Sequence, residues 1–349
     1  MSIRSRVPEP SFLNGLCMAS VGPFLIICGS HMDTHGNFFL DLLSYDTRTG
    51  VWKRYETLGD TTYCYIYSSI CVTGNLVYIF GGTDVSGSYE DTNSLLSFDI
   101  INAKWETLYS DFYDCDENTP PPMGGSCSFY HDGFLYVLGG FNSGVHLDRM
   151  YKFCLKTYTW SLVRQNGSKP LLKDKIFGTV FKNRFYSFGG SLVTGPDGYR
   201  QAMVFDISTY TWTTKATISK TQQYPEDRVN ESFSFSSNFG YLSGGKNSHT
   251  VFYDIWRIDL ETLEWIKLDY SFQTGFGVFS TTVVDDCYLF GVGMLHYVFE
   301  YNALERLTIR PPSLYRRCIE SIKRSPNLII CSMSLPAAIV DELNLDHNK

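Results

Sequence analysis

An all-β chain of repeated sheets with a short helical tail is the fold class that three observations predict. The first is a strand that recurs with a terminal glycine pair: LVYIFGG to Gly82, FLYVLGG to Gly140, RFYSFGG to Gly190 and GYLSGG to Gly245. The second is a constant step of seven from an apolar residue, often followed by Asp, to a tryptophan: Phe98 to Trp105, Phe153 to Trp160, Phe205 to Trp212 and Ile258 to Trp265. The third is a change of period after Ile309, where Pro311 and Pro312 end the β pattern and apolar residues begin to recur at helical spacing. Between the markers the residues are β-branched and aromatic, alternate with period two and are punctuated by Gly, Asn, Asp or Pro, as strands and turns require.

Taken in order, the repeats cover residues 12–58, 59–110, 122–165, 172–217, 225–270 and 273–310. In the first, LIICGS stands in place of the glycine pair and Tyr45 precedes Trp52 by the same seven residues. Repeats two to five carry both markers intact. The sixth is degenerate: CYLFGVG surrounds Gly291 and Gly293, Phe299 follows, and Arg306 stands where tryptophan is expected. The segment Gly15 to Ser20 fits either the first strand of repeat one or a strand donated to repeat six. A glycine pair inside a strand loses packing and entropy, so its recurrence marks close backbone approach or a sharp bend. The seven-residue step brackets a short turn between antiparallel strands and sets two large apolar groups where neighbouring sheets must seal, so the repeat tryptophans are expected in the core.

Successive tryptophans lie 53, 55, 52 and 53 residues apart, which excludes the ~40–45 period of WD repeats and fits the ~50 of kelch repeats. With its glycine-pair and aromatic-to-tryptophan signature, the chain resembles the kelch-repeat family over residues 12–310. The resemblance implies a six-bladed β-propeller, each blade a twisted four-stranded sheet around a central channel.

The composition narrows the function. Of 349 residues, 44% are hydrophobic and 19% charged, enough apolar material for a sizeable core. Lys and Arg number 29 against 36 Asp and Glu, a net charge of −7, so no overall positive field draws the chain to nucleic acid or anionic lipid. No run approaches the ~18 apolar residues of a membrane span. Arg4 and Arg6 ahead of Phe24 to Cys28 faintly imitate a signal peptide, but Gly22 and Pro23 interrupt the pattern, and no leader is expected. The ten cysteines show no Cys-x-x-Cys and no metal-ligand spacing, which suits buried, reduced thiols and a cytoplasmic or nuclear setting. Seven scattered histidines, no Gly-x-Ser-x-Gly elbow and no phosphate-cradling loop before a helix give no basis for an enzyme, a metal or a cofactor.

The tail, residues 311–349, reads as two short amphipathic helices. Ser313 can cap the first, whose Leu314, Cys318 and Ile322 share one face while Arg316, Arg317, Glu320 and Lys323 point elsewhere. Ser334 can cap the second, ahead of Leu335, Ile339, Val340 and Leu343, with Pro336 in its first turn. Spacing alone allows a latch that closes the ring. The pattern Ser313-Leu314-x-x-x-Cys318-x-x-x-Ile322 resembles the BC box, with which cullin substrate receptors bind elongin C, and Leu335-Pro336-x-x-Ile339 resembles the cullin box. With these motifs in order, and with YDIWRIDLETLEWIKL from Tyr253 to Leu268, the chain resembles the kelch-repeat substrate receptors of cullin-2 ubiquitin ligases. That resemblance implies elongin B/C and cullin-2 as partners, and substrate proteins gripped at their C-termini. Leu314 is then the main anchor in a helix-in-groove contact, and a latch would instead bury Leu314, Cys318 and Ile322.

Loops entering each blade and loops after the glycine pair should share one face, because strand direction alternates within a blade. Lys175, Arg200, Arg228 and Lys246 lie there, with Arg149 and His249 on comparable loops. Related receptors hold the terminal carboxylate with basic residues after a glycine pair, which corresponds to Lys246 after Gly244-Gly245, although Val251 and not a second arginine stands five positions on. An arginine in this set could donate two parallel hydrogen bonds to a carboxylate. The alternative is a non-catalytic kelch scaffold for a cytoskeletal or signalling protein.

Overall fold

The structure, a computed structural model, describes residues 3–6, 14–32, 38–56, 65–84, 90–110, 116–169, 176–189, 198–272, 276–295, 302–323, 336 and 339. Among the described residues, six sheets of four or more strands form a six-bladed propeller, antiparallel throughout except where Asn166–Gly167 adds in parallel to the outer edge of blade four, followed by one helix, α1, Leu314–Lys323. Blade one runs from the axis outward as Asn14–Val21, Phe24–Met32, Phe38–Asp46 and Val51–Glu56. Blade five repeats the plan as Val229–Phe235, Phe239–Lys246, Asp254–Asp259 and Trp265–Ser271. In blade three a small hairpin, Phe141–Asn142 with Val145–His146, follows the glycine pair.

Inner strands of neighbouring blades are joined by short polar residues. Ser69 and Ser128 hydroxyls lie 2.6 Å apart between blades two and three, and Ser232 and Thr281 lie 2.8 Å apart between blades five and six. Ser20 Oγ donates to Val283 O at 2.8 Å and joins blade one to blade six. Pairing these hydroxyls satisfies polar groups that burial would otherwise penalise.

Ring closure decides between the two roles left to residues 15–20. The strand Asn14–Val21 is blade one's own inner strand. The donated strand is Ile3–Arg6, upstream of the expected start at residue 12, and it pairs with Asn302–Thr308 as the outer strand of blade six, Ile3 opposite Arg306 and Arg6 opposite Ala303. The sixth-repeat assignment is therefore corrected. Arg306 lies on the third strand and not at a fourth-strand tryptophan position, and Leu307, opposite Leu289, is the counterpart of Phe98 opposite Val77. Phe299 lies outside the described residues.

The seven-residue step has a direct geometric cause. Phe98 and Trp105, Phe153 and Trp160, and Phe205 and Trp212 are directly opposed partners on neighbouring strands, with ring centroids 4.8, 4.9 and 5.0 Å apart. Trp212 and Trp265 are among the largest fully buried side chains. The Asp that often follows the apolar residue closes the intervening turn: Asp99 Oδ1 accepts from Ile101 N and Asn102 N, and Asp46, Asp206 and Asp259 repeat the motif. At the glycine pair of blade two, Gly81 has φ +65° and a Cβ there would sit 2.4 Å from Met123 O. Gly82 N donates to that same oxygen at 2.9 Å. The pair is the place where the segment entering the next blade is received, a close approach that only glycine permits.

Candidate functional site

Two surfaces at opposite ends of the blades carry the residues singled out by sequence. On the face where chains enter the inner strands, Arg228 immediately precedes Val229, and Val229 pairs with Lys246 at the end of the second strand of blade five. Arg200 precedes the third strand of blade four, Gln201–Asp206, on the same end. The structure thus brings Arg228 and Lys246 together and sets Arg200 on the adjoining blade. Lys175 lies outside the described residues.

The three described cations differ in what they can offer. Arg228 is 2% exposed and is held by its own blade through Nε and Nη1. Its Nε donates to Glu226 O at 3.0 Å, and its Nη1 donates to Gly244 O at 3.1 Å and to Asp254 Oδ1 at 2.7 Å. The guanidinium lies 3.9 Å from the centroid of Phe252. Its Nη2 is buried without a hydrogen-bond partner among the described residues. Gly245 creates the space, since a Cβ there would lie 3.2 Å from Arg228 Cδ. Arg228 is therefore a buried strut beneath the loop and not an exposed cation.

Asp254 also accepts from Trp256 Nε1 at 2.8 Å, and Lys267 Nζ lies 3.4 Å away. Burial alone would raise the Asp254 carboxyl, but the hydrogen bond and charge of Arg228 outweigh it and hold the group below its ordinary value. Lys246 is exposed, at the base of a loop closed by a backbone bridge to Val251. Arg200 is exposed and lies 4.3 Å from the centroid of Tyr224.

At the other end of the blades lies helix α1. Ser313 caps it as its sequence predicts: Arg316 N donates to Ser313 Oγ at 3.1 Å and Arg317 N to Ser313 O at 3.0 Å. What differs from an ordinary amphipathic helix is which stripe is buried. Leu314 is 69% exposed and Cys318 is exposed, with Ile322 half-buried, whereas Arg316 and Ile319 are 5% and 1% exposed. The mostly polar stripe faces the ring, and the apolar stripe faces outward. In the second tail segment Ile339 N donates to Pro336 O at 2.9 Å, one helical turn, with Pro336 exposed and Ile339 half-buried. Leu335 lies outside the described residues.

Sequence reasoning missed the inward stripe. A signal for it was present in the phase: Arg316 and Glu320, four residues apart, share a face with Ile319 and Lys323 and form an ion pair at 3.1 Å. A buried role for Arg316 depends on blades one and six meeting beneath it, which no local pattern encodes.

A family model described as the KLHDC2/KLHL20/DRC7 Kelch-repeats domain matches residues 71–293. Among curated proteins, kelch domain-containing protein 10 of Mus musculus and of Homo sapiens are each 24% identical over 279 residues, covering 76% of this chain and 62% of the relative. Kelch domain-containing protein 1 of Mus musculus is 27% identical over 228 residues, covering 56% of this chain and 53% of the relative. The matched region spans less than two thirds of each of these relatives.

Proposed function

This chain belongs to the KLHDC2/KLHL20/DRC7 kelch-repeat family, and we propose that it is the substrate-recognition subunit of a cullin-2 ubiquitin ligase. A kelch propeller of this kind is a protein-interaction domain, and no catalytic family is indicated. The finer reading is supported above all by the outward stripe of α1. The latch alternative requires Leu314, Cys318 and Ile322 against the blades, yet Leu314 and Cys318 are exposed on a helix whose opposite stripe is anchored. An exposed Leu on a fixed helix is a suitable anchor for an apolar pocket, which on this reading is supplied by elongin C. Leu335, Pro336 and Ile339 then meet cullin-2, and elongin B completes the assembly.

On the opposite face, Lys246 and Arg200 receive the C-terminal carboxylate of a substrate protein, while Arg228 holds the loop of Lys246 from beneath. Ubiquitin is transferred by other subunits, and the propeller contributes recognition without a metal or cofactor. The setting is the cytoplasm or nucleus, and no helix among the described residues is long and apolar enough to cross a membrane.

Two measurements test the two faces. Co-expression of the full chain with elongin B, elongin C and cullin-2 should yield one complex, and failure to co-purify with circular dichroism intact would leave a kelch scaffold. A Gly-ended peptide should bind more tightly with a free carboxylate than as its C-terminal amide. Equal affinity would remove the carboxylate reading.

A further inference from the structure

We propose that Arg316 is a positioning residue that clamps α1 across the seam between blades one and six, so that ring closure and presentation of the Leu314–Cys318 stripe form one coupled equilibrium. Only the coupling to partner binding rests on the function proposed above. The clamp rests on the geometry of the seam.

Arg316 ties its own helix to turns of two blades. Its Nη2 donates to Thr47 Oγ1 at 2.7 Å, in the turn between the third and fourth strands of blade one. Its Nη1 donates to Asp285 Oδ2 at 2.8 Å, in the turn between the first and second strands of blade six. Its Nε donates to Glu320 Oε1 at 3.1 Å, one turn further along the helix. Thr47 is itself fixed, its hydroxyl donating to Pro23 O at 2.7 Å.

Glu320 continues the chain of contacts outward. Its Oε1 accepts from Tyr288 OH at 2.8 Å and lies 3.7 Å from Arg306 Nη1. Arg306 stacks on Tyr288 at 4.5 Å and stands directly opposite Ile3 of the donated strand. The residue that looks like a lost tryptophan in the sixth repeat is therefore a link between the closing strand and the tail helix. One network joins the N-terminal strand, the third strand of blade six, the turn of blade one and α1.

The same network fixes the rotation of the helix. Leu314 and Cys318 are each two residues from Arg316, about 200° around an α-helix, so seating Arg316 in the seam turns both away from the ring. Beside Arg316 and Ile319 opens a pocket of about 710 Å³, lined among others by Pro23, Arg48, Asp286, Arg310 and Tyr315. Ile319, 1% exposed, packs beside the guanidinium, which supplies the directional bonds to both blades that fix the rotation. A partner that binds only the seated helix must stabilise the closed ring by linkage, and an opened ring must weaken the partner.

The test uses the full chain and hydrogen exchange followed by mass spectrometry at temperatures well below melting. In Arg316→Ala, amides of α1 and of Ile3–Arg6 should both exchange roughly tenfold faster or more, the scale of one lost charge-assisted hydrogen bond. Blades three and four should exchange as in the wild type. Acceleration of α1 alone, uniform acceleration of all blades, or no change overturns the clamp. Should Arg316→Ala not fold, Thr47→Val removes the two hydroxyl bonds, from Arg316 and to Pro23 O, at near-constant volume and should give the same two-site pattern more weakly, since the bonds of Arg316 to Asp285 and Glu320 remain. Elongin B/C affinity is the second readout: it should fall in Arg316→Ala with Leu314 intact and recover in part in Arg316→Lys, and unchanged affinity overturns the coupling. If the wild-type chain binds no elongin B/C, the docking reading fails while the exchange pattern still decides the clamp.

Discussion

At the scale of single residues, two arginines that composition would assign to the solvated surface are buried ties, and their acidic partners should respond oppositely to pH. Arg228→Ala leaves Asp254 half-enclosed without its guanidinium and should destabilise the fold by about 3–5 kcal/mol in urea titrations, the scale of a broken buried pair. Lys246→Ala, on an exposed side chain, should stay within about 0.5 kcal/mol. An Arg228→Ala protein as stable as the wild type would contradict the strut. Asp254 is held below its ordinary value, so its contribution is present above the unfolded carboxyl value of about 3.9 and lost as pH falls through the lower folded one. Asp254→Asn should thus be less stable at pH 7 and show a shallower loss in acid. Asp285 is displaced the other way: burial raises it and the guanidinium groups of Arg316 and Arg48 only partly offset that. Its contribution is present below about 3.9 and lost as pH rises through the raised value, so Asp285→Asn should be neutral or stabilising at pH 7.

At the scale of elements, most of the fold was legible because each blade must solve the same two problems within its own sequence. The glycine pair marks where an entry segment approaches the backbone, that of the next blade at Gly81 and that of its own blade at Gly140 and Gly245, and the step of seven marks two opposed apolar groups across a turn. Gly81 and Gly74 separate the two causes of a glycine requirement. Both have positive φ, but a Cβ at Gly81 meets Met123 O at 2.4 Å whereas one at Gly74 meets nothing within 4 Å. Gly74→Ala should cost only the ~1–2 kcal/mol of a left-handed backbone, and Gly81→Ala clearly more, as read from denaturant midpoints. Equal losses would show that the close approach carries no energy. Blade six was misread for the complementary reason. Its outer strand comes from the other end of the chain, so no local tryptophan step exists, and Arg306 is conspicuous only once Ile3 is seen beside it.

At the scale of the whole molecule, alternation of strand direction assigns the entry-loop cations to one end of the propeller and the tail helix to the other, a separation suited to holding a substrate and a ligase at once. The motif residues of the helix could be read from spacing, but not the direction each stripe faces, which is set by a seam whose other side, at Thr47, lies 269 residues from Arg316 along the chain. Likewise, spacing identified the basic loop residues without distinguishing the buried Arg228 from the exposed Lys246, because burial there depends on Phe252 and Asp254 folding over it. The most direct test of a helix with one face for the ring and one for a partner is calorimetric titration of elongin B/C into the full chain and into Leu314→Ser, with melting temperatures measured alongside. The account predicts that the variant loses binding by about a hundredfold, the loss expected of a hot-spot anchor, while melting as the wild type does. A Leu314→Ser protein that binds as tightly, or that melts earlier because Leu314 was holding the ring, would contradict it.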